Sequence, residues 1–151
     1  MSRAQVIVVR NHRLLMVKHR RDGDEWWCLP GGGIEPGETP AAAALRELGE
    51  ECLVAGTLVR PTSVVHFGPD DAHHTFLVEI GDQTPRLGHD PEDADLAESE
   101  KLLFALAWIA PDELAERDRA YLWTAGLLTV APFAADLETW TRQPVAPSRI
   151  R

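Results

Sequence analysis

Three glutamates, Glu47, Glu50 and Glu51, are crowded into the stretch 45–52, LRELGEEC. On a helix their carboxylates fall on one stripe, where like charges at i,i+3 and i,i+4 repel by roughly 0.2–0.5 kcal/mol per pair. Either water screens them on a solvated face, or a cation lies among them. Carboxylate oxygens are hard ligands that suit Mg²⁺ or Mn²⁺, and a bound metal would activate water or neutralise a phosphate.

A glycine-rich segment, LPGGGIEPGETPAAAA at 29–44, leads into these glutamates. Thr39 is expected to cap a helix over 39–52, with Pro40 at its first position. An apolar face at helical spacing would pack this helix on a sheet, and its members are Ala41, Ala44, Leu45, Leu48 and Cys52. Backbone amides of a glycine-rich loop can cradle phosphate. Neither the P-loop nor the dinucleotide-binding pattern is present, so the helix carboxylates remain the main chemical signal.

The rest of the chain supplies elements that must position this helix. Strands are predicted at 5–10, 13–19, 26–29, 57–67, 74–80 and 102–109, with a polar loop at 20–25 and an acidic loop at 82–101. One helix is predicted to start within 111–118 and another to cover about 118–129. Strands mixed with a few helices predict an α/β layered fold. We expect one domain over residues 1–143 and a flexible tail at 144–151.

Residues 32–54 resemble the Nudix hydrolase signature, in which a glycine, a glutamate and an Arg-Glu-U-x-Glu-Glu core stand at fixed spacing, U being a bulky aliphatic. The matching positions are Gly32, Glu38, Arg46, Glu47, Leu48, Glu50, Glu51 and Val54. The flanking stretches WCLPGG and LAWIAPDEL also look like the family. The second glycine of the signature, which ends the helix, is Leu53 here, and nearby Gly56 is expected to take over that turn.

The resemblance implies a Nudix-like α/β/α sandwich with a mixed β-sheet. It implies Mg²⁺-dependent hydrolysis (Mn²⁺ being the other candidate metal) of the diphosphate bond in a nucleoside diphosphate linked to another group. Nucleoside triphosphates and ADP-ribose are both open as substrates. The alternative is a non-catalytic Nudix-like ligand sensor or protein-binding module. Such domains usually lose carboxylates of the signature, and all of them are present here.

The resemblance also implies a role for each matched residue. Glu50 and Glu51 would bind metal, and Glu47 would be a ligand or the base for water. The carbonyl of Gly31, just before the signature, would be a further metal ligand. Arg46 and Glu38 would pair and hold the loop against the helix. Which carboxylate is the base, and how many metal ions bind, stay open.

Candidate substrate-binding residues lie outside the signature. Arg20 and Arg21 could bind phosphate, although solvated turn residues are an equal alternative. Trp26 and Trp27 alternate faces in a strand, so one belongs to the core while the other, taken here as Trp27, is available to stack on a base.

Other acidic and histidine residues carry weaker signals. Glu98 or Glu100 in the acidic loop would add a ligand or base, but solvated loop charge is the favoured interpretation. His66, His73 and His74 have no metal-ligand spacing, so core or surface roles are expected.

Bulk properties restrict the partners. The 151-residue chain has a net charge of −9, which argues against groove binding to nucleic acid. A metal can still bring phosphorylated small molecules to an acidic site. Apolar runs are too short for a membrane helix or a signal peptide. Cys28 and Cys52 are expected to be reduced thiols in a cytoplasmic protein, and a homodimer is compatible with the sequence.

Overall fold

Eight strands and two helices make up the fold, as seen in a computed structural model that describes residues 1–89 and 102–134. The strands are β1 (Arg3–Ile7), β2 (Val9–Arg10), β3 (Arg13–Arg21), β4 (Asp24–Cys28), β5 (Gly31–Gly33), β6 (Thr57–Gly68), β7 (Asp71–Glu79) and β8 (Leu103–Ile109). The helices are α1 (Pro40–Cys52) and α2 (Glu116–Thr124), with short 3₁₀ turns at Pro111–Glu113 and Leu127–Thr129.

Two four-stranded sheets share the central core. The first has the order β5-β1-β7-β6, in which β1 and β7 run parallel and the other pairs are antiparallel. The second is antiparallel, with β3 pairing β2, β4 and β8. The predicted α/β class with a mixed sheet is therefore confirmed.

Helix α1 begins and packs as its sequence predicts. The Thr39 side chain accepts a hydrogen bond from the Ala42 backbone N–H at 3.1 Å, and Pro40 fills the first helical position. Ala44, Leu48 and Cys52 are fully buried, and the helix packs against β1 and β5. Helix α2 contacts β4. Within the described ranges, no helix is long and apolar enough to cross a membrane.

Several predicted boundaries differ from the structure. The polar stretch 20–25 is mostly strand, because β3 runs to Arg21 and β4 starts at Asp24, leaving only the Asp22–Gly23 turn. The helix predicted within 111–118 is a 3₁₀ turn, and the helix predicted at about 118–129 is α2 followed by a second 3₁₀ turn. The predicted acidic-loop residues Glu98 and Glu100, and the tail 144–151, lie outside the described residues.

Candidate active site

A pocket of about 420 Å³ lies between α1, β5 and the ends of β1, β3 and β4. Its walls carry charge of both signs. The acidic lining residues are Glu35, Glu47, Glu50 and Glu51. The lining also includes His19 and three basic residues, Arg3, Arg21 and Arg46. Gly31, Gly32 and Gly33 form the adjoining wall. The three glutamates singled out by spacing and the Gly31 position therefore share one cavity.

Glu51 is buried, with only 4% of its surface exposed. Its Oε1 accepts a hydrogen bond of 2.7 Å from the Gly31 backbone N–H, and its Oε2 lies 3.6 Å from His19 Nε2. The expectation of three glutamates on one polar stripe is wrong for this residue. Seven residues after Ala44, a helix has turned to within roughly 20° of the same direction, so Glu51 shares the buried face.

Glu47 packs tightly over the glycine strand. A Cβ placed on Gly32 would overlap the Glu47 carboxylate, so any larger residue there would push the helix or this side chain away. The glycines at 31–33 therefore belong to a strand and not to a loop. This strand is β5, paired with β1, and its missing side chains let α1 approach closely.

Arg46 lies at the centre of the acidic group. Its Nε and Nη2 donate to both oxygens of Glu38 at 2.8 and 2.9 Å, and Nη2 also donates to the Gly33 carbonyl at 3.0 Å. Its Nη1 donates to Glu47 at 3.0 Å and to Glu50 at 3.3 Å. The hydrogen bonds from Arg46 lower the pKa of the Glu38 carboxyl below its ordinary value, and those to Glu38 raise the pKa of Arg46. Arg46 therefore joins the loop, β5 and α1.

The carboxylates predicted to bind metal already have hydrogen-bond partners in the structure. Within residues 1–89 and 102–134, no group of three or more His, Cys, Asp or Glu side chains is drawn together closely enough to hold a metal ion. The Arg46 guanidinium pairs with Glu47 and Glu50, while one oxygen of Glu51 faces the Gly31 amide. The donors themselves are all oxygens on one pocket, which is the chemistry that Mg²⁺ and Mn²⁺ prefer.

The residues of β3 and β4 that were predicted to bind substrate lie on two different faces of their sheet. Arg21 lines the pocket, together with His19 of the same strand and Trp26 of β4. Side chains alternate along a strand, so Arg20 and Trp27 lie on the other face. There Arg20 stacks over Phe104 at 4.4 Å, and Lys18 lies 5.5 Å from the Trp27 ring.

His19 and Arg3 are pocket residues that sequence reasoning missed. The His19 ring stacks on Trp26 at a centroid distance of 6.0 Å and an angle of 14°. Period-2 alternation from Arg21, together with the pairing of His19 opposite Trp26, identifies His19 as a pocket residue once the strands are known. Arg3 gives no such signal, because its place follows from the pairing of β1 with β5.

The three histidines of sheet β5-β1-β7-β6 do not join this pocket among the described residues. His73 is buried and lies 3.1 Å from Asp71, and its burial lowers its pKa. His66 is exposed, and His74 is half-buried with a pKa that burial also lowers.

Leu53 itself ends the helix, so Gly56 does not take over the turn. Leu53 adopts the left-handed conformation, with φ 56° and ψ 38°, and its N–H donates to the Gly49 carbonyl. Gly56 has a packing role instead, because a Cβ there would come within 2.5 Å of Val78 and 2.9 Å of Leu48.

A family model described as the NUDIX domain matches residues 1–129. The chain belongs to the Nudix family. Nudix hydrolases generally use divalent metal ions, and family membership supports a pyrophosphohydrolase. The expected Nudix resemblance is thereby confirmed.

Curated relatives match about half of this Nudix chain. A human diphosphoinositol polyphosphate phosphohydrolase 3-alpha is 40% identical over 79 residues, which are 50% of this chain and 48% of the relative. A CMP-5′-(N-acetyl-N-hydroxy-3-aminopropyl)phosphonate hydrolase from Streptomyces rubellomurinus is 38% identical over 91 residues, or 52% of this chain and 42% of the relative. The chain thus spans about half the length of these relatives.

Solved Nudix structures share the fold. A MutT NUDIX hydrolase from Burkholderia pseudomallei superposes with a TM-score of 0.59 at 26% identity, covering 76% of this chain and 85% of that one. A C. elegans Ap4A hydrolase superposes with a TM-score of 0.61 at 19% identity, covering 91% of this chain and 99% of that one. The Nudix-like α/β/α sandwich expected from the sequence is confirmed.

Proposed function

We propose that this protein hydrolyses a diphosphate bond in a small phosphorylated substrate, with Mg²⁺ or Mn²⁺ bound at the signature glutamates. The observation that carries the proposal is the single pocket that holds Glu47, Glu50, Glu51 and Gly31 beside Arg3 and Arg21. This cavity supports the proposal because its carboxylates suit a metal ion and its cations suit a substrate anion.

The proposed metal ligands are Glu47, Glu50, Glu51 and the Gly31 carbonyl. When bound, the divalent ion would polarise a phosphoryl oxygen and make bound water more acidic. The donor set fits such an ion because it is made entirely of hard oxygen atoms. Glu47 is also a candidate base for water.

The chain's own residues prepare this site before substrate arrives. The Gly31 amide fixes one oxygen of Glu51, and Arg46 neutralises the repulsion between Glu47 and Glu50. The two hydrogen bonds between Arg46 and Glu38 hold the loop and helix in one geometry. Such preorganisation avoids reorganisation cost at the moment of reaction.

The proposed substrate is a nucleotide derivative, either a nucleoside triphosphate or a compound of the ADP-ribose type. Arg3 and Arg21 would contact phosphates beyond the scissile bond, because they line the same pocket as the glutamates. The stacked rings of His19 and Trp26 offer an aromatic surface to a nucleobase. Because the human relative is named for diphosphoinositol polyphosphates, a compound of that class is included in the substrate panel.

We further propose that the domain matched over residues 1–129 is cytoplasmic. A homodimer is compatible with this proposal.

The test combines metal titration with a substrate panel. Mn²⁺ and Mg²⁺ binding is measured by calorimetry on the wild type and on a Glu50→Gln, Glu51→Gln double variant. The control carries Glu79→Gln and Glu116→Gln, which make the same change in charge at exposed positions outside the pocket. We expect binding to disappear only in the first variant. Unchanged binding there overturns the metal site.

Turnover is then measured with each metal for nucleoside triphosphates, ADP-ribose, a dinucleoside tetraphosphate and a diphosphoinositol polyphosphate, with the products identified. Metal-dependent cleavage of a diphosphate bond supports the hydrolase. Ligand binding without cleavage of any member would favour the sensor or binding module instead.

A further inference from the structure

The end of helix α1 is completed by a distant piece of chain. The last four carbonyls of a helix have no partner within it and need one elsewhere. In α1, the Gly49 carbonyl accepts from the Leu53 N–H at 3.1 Å. The next three carbonyls accept from the segment after β7: Glu50 from His89 at 3.1 Å, Glu51 from Gly88 at 2.7 Å and Cys52 from Arg86 at 2.9 Å. All four carbonyls are therefore satisfied.

Gly88 makes the closest approach in this arrangement. It is buried, and a Cβ placed on it would overlap the carbonyl oxygen of Glu50 and lie 3.2 Å from the carbonyl carbon of Glu51. Both neighbours are backbone atoms of a helix, which cannot rotate aside like a flexible side chain. Any side chain at this position must therefore move the segment or the helix end.

Gln83 fixes the start of the same segment. Its amide nitrogen donates to the carbonyls of Ala55 and Ile80, each at 2.7 Å, and its amide oxygen accepts from the Ala55 N–H at 3.0 Å. Residues 83–89 are thus joined to Ala55, just beyond the helix, at one end and to the last carbonyls of α1 at the other. We call them the helix-end clamp.

The clamp acts on the residues that carry the candidate chemistry. Its hydrogen bonds hold the backbone of Glu50 and Glu51, and the Glu51 side chain reaches from there to the Gly31 amide. The Leu53 turn leaves three of the four end carbonyls for the clamp to satisfy. The position of Glu51 relative to β5 therefore depends on a contact more than thirty residues further along the chain.

We propose that the helix-end clamp positions Glu50 and Glu51 for metal binding, with Gly88 as its positioning residue. The part of this inference that concerns metal rests on the proposed function. Groups that orient metal ligands typically change metal affinity by about 10–100-fold when they are altered. Gly88 touches only the helix backbone among these residues, so it acts through the ligands.

The decisive variant is Gly88→Ala, compared with Gly68→Ala. Gly68 has open space around its Cβ position and no positive φ, so alanine there tests the substitution itself. The first measurement is the backbone amide resonance of Gly31 in the metal-free folded protein, because that N–H bonds to Glu51. The second is Mn²⁺ affinity by calorimetry, well below the melting temperature.

We expect Gly88→Ala to shift the Gly31 amide resonance and to weaken Mn²⁺ binding by about 10–100-fold. Gly68→Ala should leave both unchanged. A merely destabilising core change, Leu127→Ala, should lower the melting temperature without moving the Gly31 resonance, since Leu127 is buried outside the pocket.

Two outcomes overturn the clamp: an unchanged Gly31 resonance in Gly88→Ala, or an equal shift in Leu127→Ala. If wild type binds no Mn²⁺, the proposed function fails, and the Gly31 resonance still decides the clamp. If Gly88→Ala does not fold, Gln83→Ala replaces it. That variant should produce a smaller shift in the same direction, and no shift there would reject the proposal.

Discussion

The Glu51 carboxylate joins helix α1 to strand β5 by accepting a hydrogen bond of 2.7 Å from the Gly31 N–H. Because Glu51 is 4% exposed, this contact is shielded from water. The same side chain is a proposed metal ligand. Glu51 therefore combines a structural contact with a proposed chemical role, whereas Glu50 keeps 31% of its side chain exposed and pairs only with Arg46 among the described residues.

Glu51 and Glu50 should differ in their effect on stability. Glu51→Ala leaves a buried N–H unpaired, which costs about 1–3 kcal/mol in the free energy of unfolding. Glu50→Ala removes a partly exposed ion pair and should cost less than about 1 kcal/mol. Urea unfolding of the metal-free variants measures both values. Equal losses would contradict the structural contact of Glu51, while turnover should fall in both.

Replacing Leu53 by glycine should stabilise the protein. Leu53 has φ 56°, and a left-handed conformation costs a residue with a Cβ roughly 1–2 kcal/mol. Glycine adopts it without that cost, while Leu53 is 54% exposed and loses little burial. We expect Leu53→Gly to raise the melting temperature and to keep turnover within a few-fold.

Leu53→Ala is the matched control, because it removes the same side chain but keeps the conformational cost. It should not gain stability. If both variants gain equally, the exposed leucine side chain and not the backbone conformation is the cause.

The stability contributed by Glu38 should depend on pH. Hydrogen bonds from Arg46 lower its pKa below the ordinary value of 4.5. Its contribution is therefore present above pH 4.5 and is lost as the pH falls through the lower folded-state pKa. The melting temperature of wild type should exceed that of Glu38→Gln near neutral pH, and this difference should close under acid conditions.

Glu35→Gln provides the comparison for Glu38. Glu35 lies 3.9 Å from Arg46 with 67% of its side chain exposed, so its pairing is weak. Its melting temperature should stay near that of wild type across the same pH range. A Glu38→Gln difference that persists at low pH would mean that packing, not the ion pair, is involved.

Much of the fold is predictable because local patterns agree with the tertiary contacts. Thr39 and Pro40 start α1 as their types predict, and the Asp22–Gly23 turn joins two strands. The loop predicted at 20–25 is mostly strand, because polar side chains are compatible with strands whose backbone is paired. Leu53 ends the helix with a positive φ, which the preference of a residue with a Cβ against that conformation does not predict.

The candidate site was only partly predictable for a similar reason. Spacing along one helix identifies Glu47, Glu50 and Glu51, since a period of 3.6 residues is encoded locally. The burial of Glu51 and the location of Arg3 in the pocket depend on which strands pair. Sequence periodicity does not contain that information. The clamp at Gly88 depends on an even longer separation along the chain.

Arg3 is predicted to bind a substrate anion. It lines the pocket, and no hydrogen bond or ion pair joins its side chain to another described residue. A charged hydrogen bond to a phosphate would contribute about 1.5–3 kcal/mol. If that hydrogen bond stabilises the ground state and the transition state equally, Arg3→Ala should raise KM by about 10–100-fold and leave kcat within a few-fold.

The control for Arg3 is Arg13→Ala, which makes the same change in charge at the Glu113 ion pair, outside the pocket. It should leave KM unchanged. Added salt should weaken substrate binding more in wild type than in Arg3→Ala, because screening acts on the charge that only wild type presents. A loss confined to kcat in Arg3→Ala would assign Arg3 to transition-state charge instead. An equal rise of KM in both variants would show that net charge, and not a contact at Arg3, attracts the substrate.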